Sequence, residues 1–303
     1  MTVMTELQQN ISSLLQDVEV RFEELLSKHT SFRIGGPAEI MAFPKNPSEL
    51  RKVLEVSARL DINPVILGAG TNVLAPDEGI RGLIVCLKDC LGGMELLEGD
   101  RIRVMAGVTM TRAAVFAAER GLTGLEFAHG IPGTVGGGVY MNAGAYGGEI
   151  SNVCECVEVM SPEGDIRTYS CEEMAFSYRH SVLEENGGIV ISAVFRLTSG
   201  DPAEIKARMK ELQAKRSASQ PLQLPSAGSA FKRPVGGYAA ALIDQTGLKG
   251  FQIGGAAVSE KHAGFVVNLG GATASDVRLL LKEVAKKVLD ATGISLEPEV
   301  RIW

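Results

Sequence analysis

The chain has 303 residues, of which 45% are hydrophobic and 22% charged, and its net charge is −6. This composition is that of an ordinary globular protein, and the length predicts about two domains. The negative charge argues against general binding to nucleic acid or to an anionic membrane, which depends on basic patches. No apolar run approaches the ~20 residues of a membrane span. The first residues also lack the basic start of a secretory signal. We therefore expect a cytoplasmic protein with reduced cysteines and no metal site.

Helix and strand signals follow one another through the first 121 residues. Asn46 is a predicted N-cap, Pro47 fits the first helical position, and Glu49 stands where a capping-box carboxylate belongs. The other elements predicted here are helices at 3–17 and 109–120 and strands at 64–70, 82–87 and 101–107.

Residues 121–148 contain ten of the 35 glycines of the chain. A flexible linker would combine glycine with serine and polar residues, whereas this segment interleaves its glycines with Ile131, Val135 and Val139. Glycine at this density among apolar residues indicates positive φ angles and close approach of the backbone to something bulky. A ligand is the favoured reason.

The second half of the chain predicts a mixture of α and β without steady alternation. A change of domain is expected near 199–200, and Ser275 is a predicted N-cap of the last helix, which ends at Gly293. The remaining predictions are strands at 153–161, 189–198, 264–270 and 295–303, a helix at 201–216 and a long loop at 217–237.

Two glycine segments could together bind a dinucleotide. The first, Gly68, Ala69, Gly70, Thr71 and Asn72, follows a buried strand, where phosphate-binding turns occur. It is not a Rossmann fingerprint, because the third glycine would fall on Val73, and it lacks the Gly-Lys-Ser/Thr of a P-loop. With the second segment, 133–137, it could still donate successive backbone amides to a pyrophosphate, which we favour over a structural turn.

Several polar side chains are candidates for a functional role, and the sequence alone does not decide between the alternatives. Arg179 is equally a surface arginine or a fork-shaped cation for a carboxylate or phosphate. Ser229 is not in a nucleophile elbow, since the flanking glycines are missing. Lys232 and Arg233 could attract an anionic substrate to this loop. Glu299 and Glu297 share one face of the terminal strand, so only their surroundings can separate them. The four histidines have no metal-ligand spacing.

Six motifs in this order resemble the UDP-N-acetylenolpyruvoylglucosamine reductase (MurB) family, flavoenzymes of peptidoglycan precursor synthesis. The short connection from Arg179 to Ile189 resembles the second type of this family, which lacks an inserted loop with a substrate-covering tyrosine. The motifs lie at 30–39, 67–74, 130–149, 178–181, 225–234 and 296–301.

The resemblance implies an α+β protein with an FAD-binding fold of the vanillyl-alcohol-oxidase (PCMH) kind. This fold would comprise two subdomains, 1–85 and 86–200, followed by an α/β substrate-binding domain at 201–303. FAD would pass hydride from NADPH to a nucleotide-sugar substrate, in a monomer that binds neither nucleic acid nor membrane. Two alternative functions remain open. One is an FAD oxidase of the same fold that acts on another alcohol or sugar, and the other is a non-catalytic nucleotide-binding module.

The family pattern also implies the site residues. Arg179 would stabilise an enolate, Ser229 would donate a proton, and Glu299 would be its partner near the reacting carbon. Substrate contacts would come from Tyr178, Lys232 and Arg301. Cofactor contacts would come from Arg33, Gly68, Ala69, Gly70, Thr71, Asn72, Gly133, Thr134, Gly136, Gly137, Asn142, Ala143 and Gly144.

Overall fold

A computed structural model of the chain describes residues 4–88 and 90–303. Eight α-helices lie in these residues: α1 (Glu6–Leu14), α2 (Pro47–Arg59), α3 (Met110–Glu119), α4 (Val135–Tyr140), α5 (Leu183–Asn186), α6 (Pro202–Ser219), α7 (Ala239–Gln245) and α8 (Ala274–Thr292). None of the helices in this described part is long and apolar enough to cross a membrane.

The strands are short and numerous. They are β1 (Glu19–Leu25), β2 (Pro37–Phe43), β3 (Val65–Leu67), β4 (Val73–Leu74), β5 (Ile80–Cys86), β6 (Met94–Leu97), β7 (Arg101–Met105), β8 (Leu122–Thr123), β9 (Gly144–Ala145), β10 (Gly148–Glu149), β11 (Cys154–Met160), β12 (Ile166–Ser170), β13 (Ile189–Arg196), β14 (Thr198–Ser199), β15 (Ser226–Ser229), β16 (Gln252–Ile253), β17 (Ala256–Val258), β18 (Phe265–Asn268) and β19 (Arg301–Ile302).

The chain divides into two compact units, and each unit is assembled from separate segments. Unit 1 comprises the described residues up to Phe22, together with those of Ile40–Ala69 and Gly82–Lys215. Unit 2 comprises Glu23–Glu39, Gly70–Arg81 and Arg216–Trp303. The division into 1–85, 86–200 and 201–303 stays a prediction.

Unit 1 contains most of a four-stranded sheet and all of a five-stranded one. The strand orders are β1-β2-β5-β3 and β12-β11-β13-β7-β6, and the second sheet is antiparallel throughout. Seven of the eight residues of β13 are buried, as its continuous apolar sequence predicts for a central strand. In β7, Ile102 and Val104 are buried while Arg103 is exposed, which confirms the predicted alternation.

Unit 2 is built on a four-stranded antiparallel sheet with the order β15-β18-β17-β16. Helix α8 places Val277, Leu280 and Val284 in the core of this unit. Phe32 and Leu74 belong to the same core, although both lie far from this helix in sequence. The apolar core of unit 2 is therefore completed by segments from the first third of the chain.

Several sequence expectations about element ends are confirmed and others are wrong. Asn46 Oδ1 accepts from the Glu49 amide at 2.9 Å, and α3 ends just before Gly121, which has a φ of +66°. Ser275 is not the cap of α8, because Thr273 Oγ1 accepts the Asp276 amide at 3.0 Å. Helix α1 is shorter than expected. In the expected strand at 295–303, only Arg301–Ile302 forms a regular strand, and Pro298 forms an isolated bridge with Phe231. The expected loop at 217–237 contains β15 and the end of α6.

The glycine-rich segment combines the expected left-handed turns with an unexpected helix. Gly124 and Gly133 have φ angles of +125° and +128°. Gly136 and Gly138 instead lie in α4, where a methyl group at position 138 would lie 2.7 Å from the Met110 sulfur. These glycines therefore allow close packing of a helix, and their φ angles are not left-handed.

The cap of α8 gives a test of the fold. We expect Thr273→Ala to destabilise unit 2 by about 1 kcal/mol, because the first-turn amide loses its acceptor. The midpoint of thermal unfolding should fall by about 2–4 °C. The matched control is Ser275→Ala, since the Ser275 hydroxyl contacts Asp77 and caps no amide. Circular dichroism during heating measures the unfolding midpoint of each variant. An equal fall of the midpoint in the two variants would contradict the assignment of Thr273 as the cap.

Candidate active site

The two glycine segments meet within unit 1. Gly68 follows β3, and a methyl group at this position would lie 3.1 Å from Thr134 Oγ1. Thr134 is 3% exposed and caps α4, with its hydroxyl accepting from the Gly137 amide at 3.4 Å. A methyl group at position 68 would require the Thr134 hydroxyl to move by a few tenths of an ångström, so glycine favours this close approach.

The backbone amides of these segments divide into two kinds. In and just after the second segment, four amides already have protein acceptors. Those of Val135 and Gly136 donate to the carbonyls of Val108 and Ala106. Those of Gly137 and Gly138 donate to the hydroxyl and the carbonyl of Thr134. In the parts of the two segments that lie in unit 1, the amides of Gly68, Ala69, Gly133 and Thr134 have no protein acceptor among the described residues. Neighbouring amides without an acceptor can bind a phosphate oxygen.

The rest of the first segment belongs to unit 2. Gly70 has a φ of +60°, and a methyl group there would lie 2.1 Å from the His29 carbonyl oxygen. The Gly70 carbonyl accepts from the Ser31 amide at 3.0 Å, at the start of the turn that carries the exposed Arg33. Asn72 Nδ2 donates to the Glu299 carbonyl at 3.3 Å. The segment is thus fixed to elements that carry other candidate residues.

Ser229 and Glu299 lie on adjacent backbone segments of unit 2. The Glu299 amide donates to the Ala230 carbonyl at 2.9 Å, and the Lys232 amide donates to the Glu297 carbonyl at 2.9 Å. Ser229 is exposed, and its hydroxyl has no protein hydrogen-bond partner in the described part of the chain. The ammonium group of Lys232 forms an ion pair with Glu297. The two glutamates are therefore distinct, since Glu297 is the partner of a lysine and Glu299 lies beside Ser229.

Arg179 lies at the tip of a tight turn in unit 1. Ser177 and His180 exchange two backbone hydrogen bonds of 3.2 Å across this turn. Arg179 has a φ of +57°, in the left-handed region that a residue with a side chain rarely adopts. Its guanidinium carbon lies 5.3 Å from the centre of the Tyr178 ring. Asn142 Nδ2 donates to the Ser177 carbonyl at 3.1 Å, so the turn is attached to the glycine-rich segment.

The structure thus gathers the predicted residues into two groups, one in each unit. The group in unit 1 comprises Gly68, Ala69, Gly133, Thr134, Gly136, Gly137, Asn142, Ala143, Gly144, Tyr178 and Arg179. The group in unit 2 comprises Arg33, Gly70, Thr71, Asn72, Ser229, Lys232, Glu299 and Arg301.

Sequence reasoning overlooked His129. It lies in the 3-10 turn Glu126–Gly130, and its Nδ1 atom is buried without a hydrogen-bond partner in the described residues. A buried imidazole nitrogen usually has a partner, so this atom suits a bound group. Its position inside the glycine-rich segment was the only signal in the sequence.

Three of the five cysteines are poor nucleophiles. Burial raises the pKa of the Cys154 thiol, and Cys171 and Cys156 nearby raise it further. Burial also raises the pKa values of Cys156 and Cys171. All three therefore stay protonated at neutral pH, when a nucleophile or metal ligand would need the thiolate. No group of three His, Cys, Asp or Glu side chains in the described residues is arranged to hold a metal ion.

Comparisons with known proteins cover nearly the whole chain. Residues 220–303 match the C-terminal domain of UDP-N-acetylenolpyruvoylglucosamine reductase, and residues 38–170 match an FAD-binding domain. The reductase of that name from Agathobacter rectalis is 45% identical over 304 residues, which cover 97% of this chain and 96% of that protein. The one from Streptococcus thermophilus is 44% identical over 288 residues, covering 95% and 94%. The crystal structure of the Thermus caldophilus enzyme is 37% identical with a TM-score of 0.80, covering 94% of this chain and 98% of that one.

The Gly70 turn predicts a strong effect of a single methyl group. We expect Gly70→Ala to lower the stability by more than about 2 kcal/mol, because the left-handed backbone and the His29 carbonyl both exclude a side chain. Gly92→Ala is the matched control, since a methyl group at position 92 meets no atom within 4 Å. Thermal unfolding compares the two proteins. Equal stability of both variants would show that the turn does not need glycine.

Proposed function

This chain belongs to the UDP-N-acetylenolpyruvoylglucosamine reductase (MurB) family, and we propose on that basis that Arg179, Ser229 and Glu299 carry its reaction. The chain is an NADPH-dependent FAD enzyme that reduces UDP-N-acetylglucosamine enolpyruvate to UDP-N-acetylmuramate in peptidoglycan precursor synthesis. Its α+β fold is an FAD-binding fold of the vanillyl-alcohol-oxidase kind with a C-terminal substrate domain. Identity along the whole length favours this activity over an oxidase or a non-catalytic module.

The residues proposed to hold FAD offer what a dinucleotide needs. The amides of Gly68, Ala69, Gly133 and Thr134 lack protein acceptors, and we assign them to the pyrophosphate together with Gly70, Thr71 and Asn72. Gly136, Gly137, Ala143 and Gly144 are proposed as further contacts of the cofactor. Gly137 offers the most open approach among the three glycines, because a methyl group there would meet only Thr134 Oγ1, at 3.7 Å. The buried His129 Nδ1 is a further candidate partner. Arg33 is exposed and could meet a phosphate. When bound, FAD carries the hydride from NADPH to the substrate.

Arg179 is proposed to bind the carboxylate of the enolpyruvyl group. Hydride addition to the methylene carbon shifts the electron pair of the double bond toward the carboxylate and gives an enolate. A guanidinium can donate two parallel hydrogen bonds to such a group, and these strengthen as negative charge develops. The half-exposed position of Arg179 at the tip of a fixed turn supports this role.

Ser229 is proposed to donate its hydroxyl proton to the carbon that bears the carboxylate, which completes the reduction. A serine hydroxyl is a very weak acid, so the acceptor must be a strongly basic carbanion. The observation that carries this assignment is the 2.9 Å hydrogen bond from the Glu299 amide to Ala230, the residue after Ser229. It supports Glu299 as the partner of the proton donor, because it places the two residues on adjacent backbone segments.

The remaining contacts are proposed to orient the nucleotide sugar. Tyr178 is 52% exposed beside Arg179, and Lys232 and Arg301 supply positive charge in unit 2. We further propose a cytoplasmic monomer without nucleic-acid or membrane partners, since the substrate and NADPH are small molecules and the chain has a net charge of −6.

The proposed proton donor acts in only one of the two half-reactions, the oxidation of the reduced flavin by the enolpyruvyl substrate. We expect Ser229→Ala to slow oxidation of the reduced enzyme by the enolpyruvyl substrate by about 10²–10⁴-fold, the usual effect of a general acid. Reduction by NADPH should be unchanged. Anaerobic stopped-flow absorbance of the flavin measures each step, with Ser226→Ala on the same strand as the control. Equal losses in both steps would rule out this role.

The arginine fork gives a separate test. We expect Arg179→Lys to slow the substrate step by about 10–100-fold, because a point charge cannot replace two parallel hydrogen bonds. The matched control is Arg167→Lys, since Arg167 also lies over a tyrosine ring, that of Tyr169, in the same unit. Steady-state turnover and the isolated substrate step measure the effect. Unchanged turnover of the Arg179 variant would contradict the clamp.

A further inference from the structure

We infer that Asn142 and Ser181 are positioning residues that hold Arg179 in its working conformation. The inference rests on the role proposed for Arg179 above. Both side chains are buried, with exposed fractions of 1% for Asn142 and 0% for Ser181. Each forms a hydrogen bond that connects the arginine turn to the end of α4.

Asn142 holds the first end of the turn. Its Nδ2 donates to the Ser177 carbonyl at 3.1 Å, and its Oδ1 accepts from the Ser151 amide at 3.0 Å. The side-chain amide therefore has protein partners at both its nitrogen and its oxygen. Asn142, predicted as a cofactor contact, thus also bridges two backbone segments. Its φ of +41° is one that asparagine tolerates better than most residues.

Ser181 holds the other end. Its hydroxyl donates to the Tyr140 carbonyl at 2.8 Å. Tyr140 is the last residue of α4, where helix carbonyls have no partner within the helix. This bond therefore joins one of the last carbonyls of the helix to the chain immediately after the turn.

The two bonds attach both ends of the arginine turn to the short stretch 140–142. Such an anchor is needed because the left-handed conformation of Arg179 costs about 1–2 kcal/mol relative to ordinary backbone. If either end were released, the peptide could relax to a negative φ and turn the guanidinium in another direction. In this proposal Asn142 and Ser181 touch no substrate. They act through the arginine turn, because they determine whether the Arg179 guanidinium is in place when the enolate forms.

Two variants interrupt the anchor at different ends. Ser181→Ala removes the hydroxyl, whereas Asn142→Asp keeps the acceptor for Ser151 and places a second carboxylate oxygen against the Ser177 carbonyl. Ser192→Ala is the matched control, because Ser192 is 1% exposed in the same unit and its hydroxyl donates to Glu158 Oε2 at 2.5 Å. This variant loses a buried hydroxyl whose hydrogen bond goes to Glu158 and not to the arginine turn.

The experiment is an anaerobic half-reaction analysis of the holoenzymes. We expect both anchor variants to slow oxidation of the reduced flavin by the enolpyruvyl substrate by about tenfold, the effect of about 1.4 kcal/mol of lost transition-state stabilisation. Reduction by NADPH should stay within about twofold of the parent. Calorimetry should show weaker binding of UDP-N-acetylmuramate, which carries the same carboxylate. The control variant should change none of these quantities.

A double-mutant cycle separates this inference from the proposed function. If Ser181 acts through Arg179, then Ser181→Ala should cause a smaller loss in the Arg179→Lys background than alone. Full activity of Arg179→Lys would overturn the clamp and the inference together. A slow Arg179→Lys enzyme with normal Ser181→Ala and Asn142→Asp enzymes would overturn only the inference. Equal losses in both half-reactions, or the same losses in Ser192→Ala, would also overturn it.

Discussion

The close approach of the two glycine segments in unit 1 is favoured by the lack of a side chain at position 68. Thr134 Oγ1 would be only 3.1 Å from a methyl group there, and the same hydroxyl caps α4. The other end of α4 is bonded to the chain around Arg179. A continuous series of contacts thus connects the end of β3 to the arginine turn, so a shift at Gly68 would be transmitted along α4.

Helix α4 could not be stable alone. It has six residues, three of them glycines, each of which disfavours a helix by about 1 kcal/mol relative to alanine. Its first amides, those of Val135 and Gly136, donate to carbonyls of Val108 and Ala106 just beyond β7. The five-stranded sheet therefore holds α4, and the glycines permit the close approach that makes these bonds possible. This dependence explains why the segment is rich in both glycine and apolar residues.

Local chemistry predicted much of the fold, whereas features set by distant segments were missed. The cap at Asn46 depends on the four consecutive residues 46–49 and is visible in the sequence. For α8, both Thr273 and Ser275 are residue types that cap helices. The Ser275 hydroxyl instead donates a hydrogen bond to Asp77, which is 198 residues away. Likewise, Glu297 and Glu299 look equivalent until Lys232 pairs with the first. The site motifs were recognisable in the sequence. The hydrogen bonds and ion pairs of their side chains were not, because they join residues that are far apart along the chain.

The same ion pair bears on how unit 2 could receive an anionic substrate. The side chains of Lys232 and Glu297 are 39% and 70% exposed, so their pairing contributes about 0–1 kcal/mol to stability. An ion pair this weak can be exchanged at little cost for the substrate contact proposed for Lys232. Glu299 is less exposed and is tied through its backbone to Ala230 and Asn72, so it would stay beside Ser229 throughout.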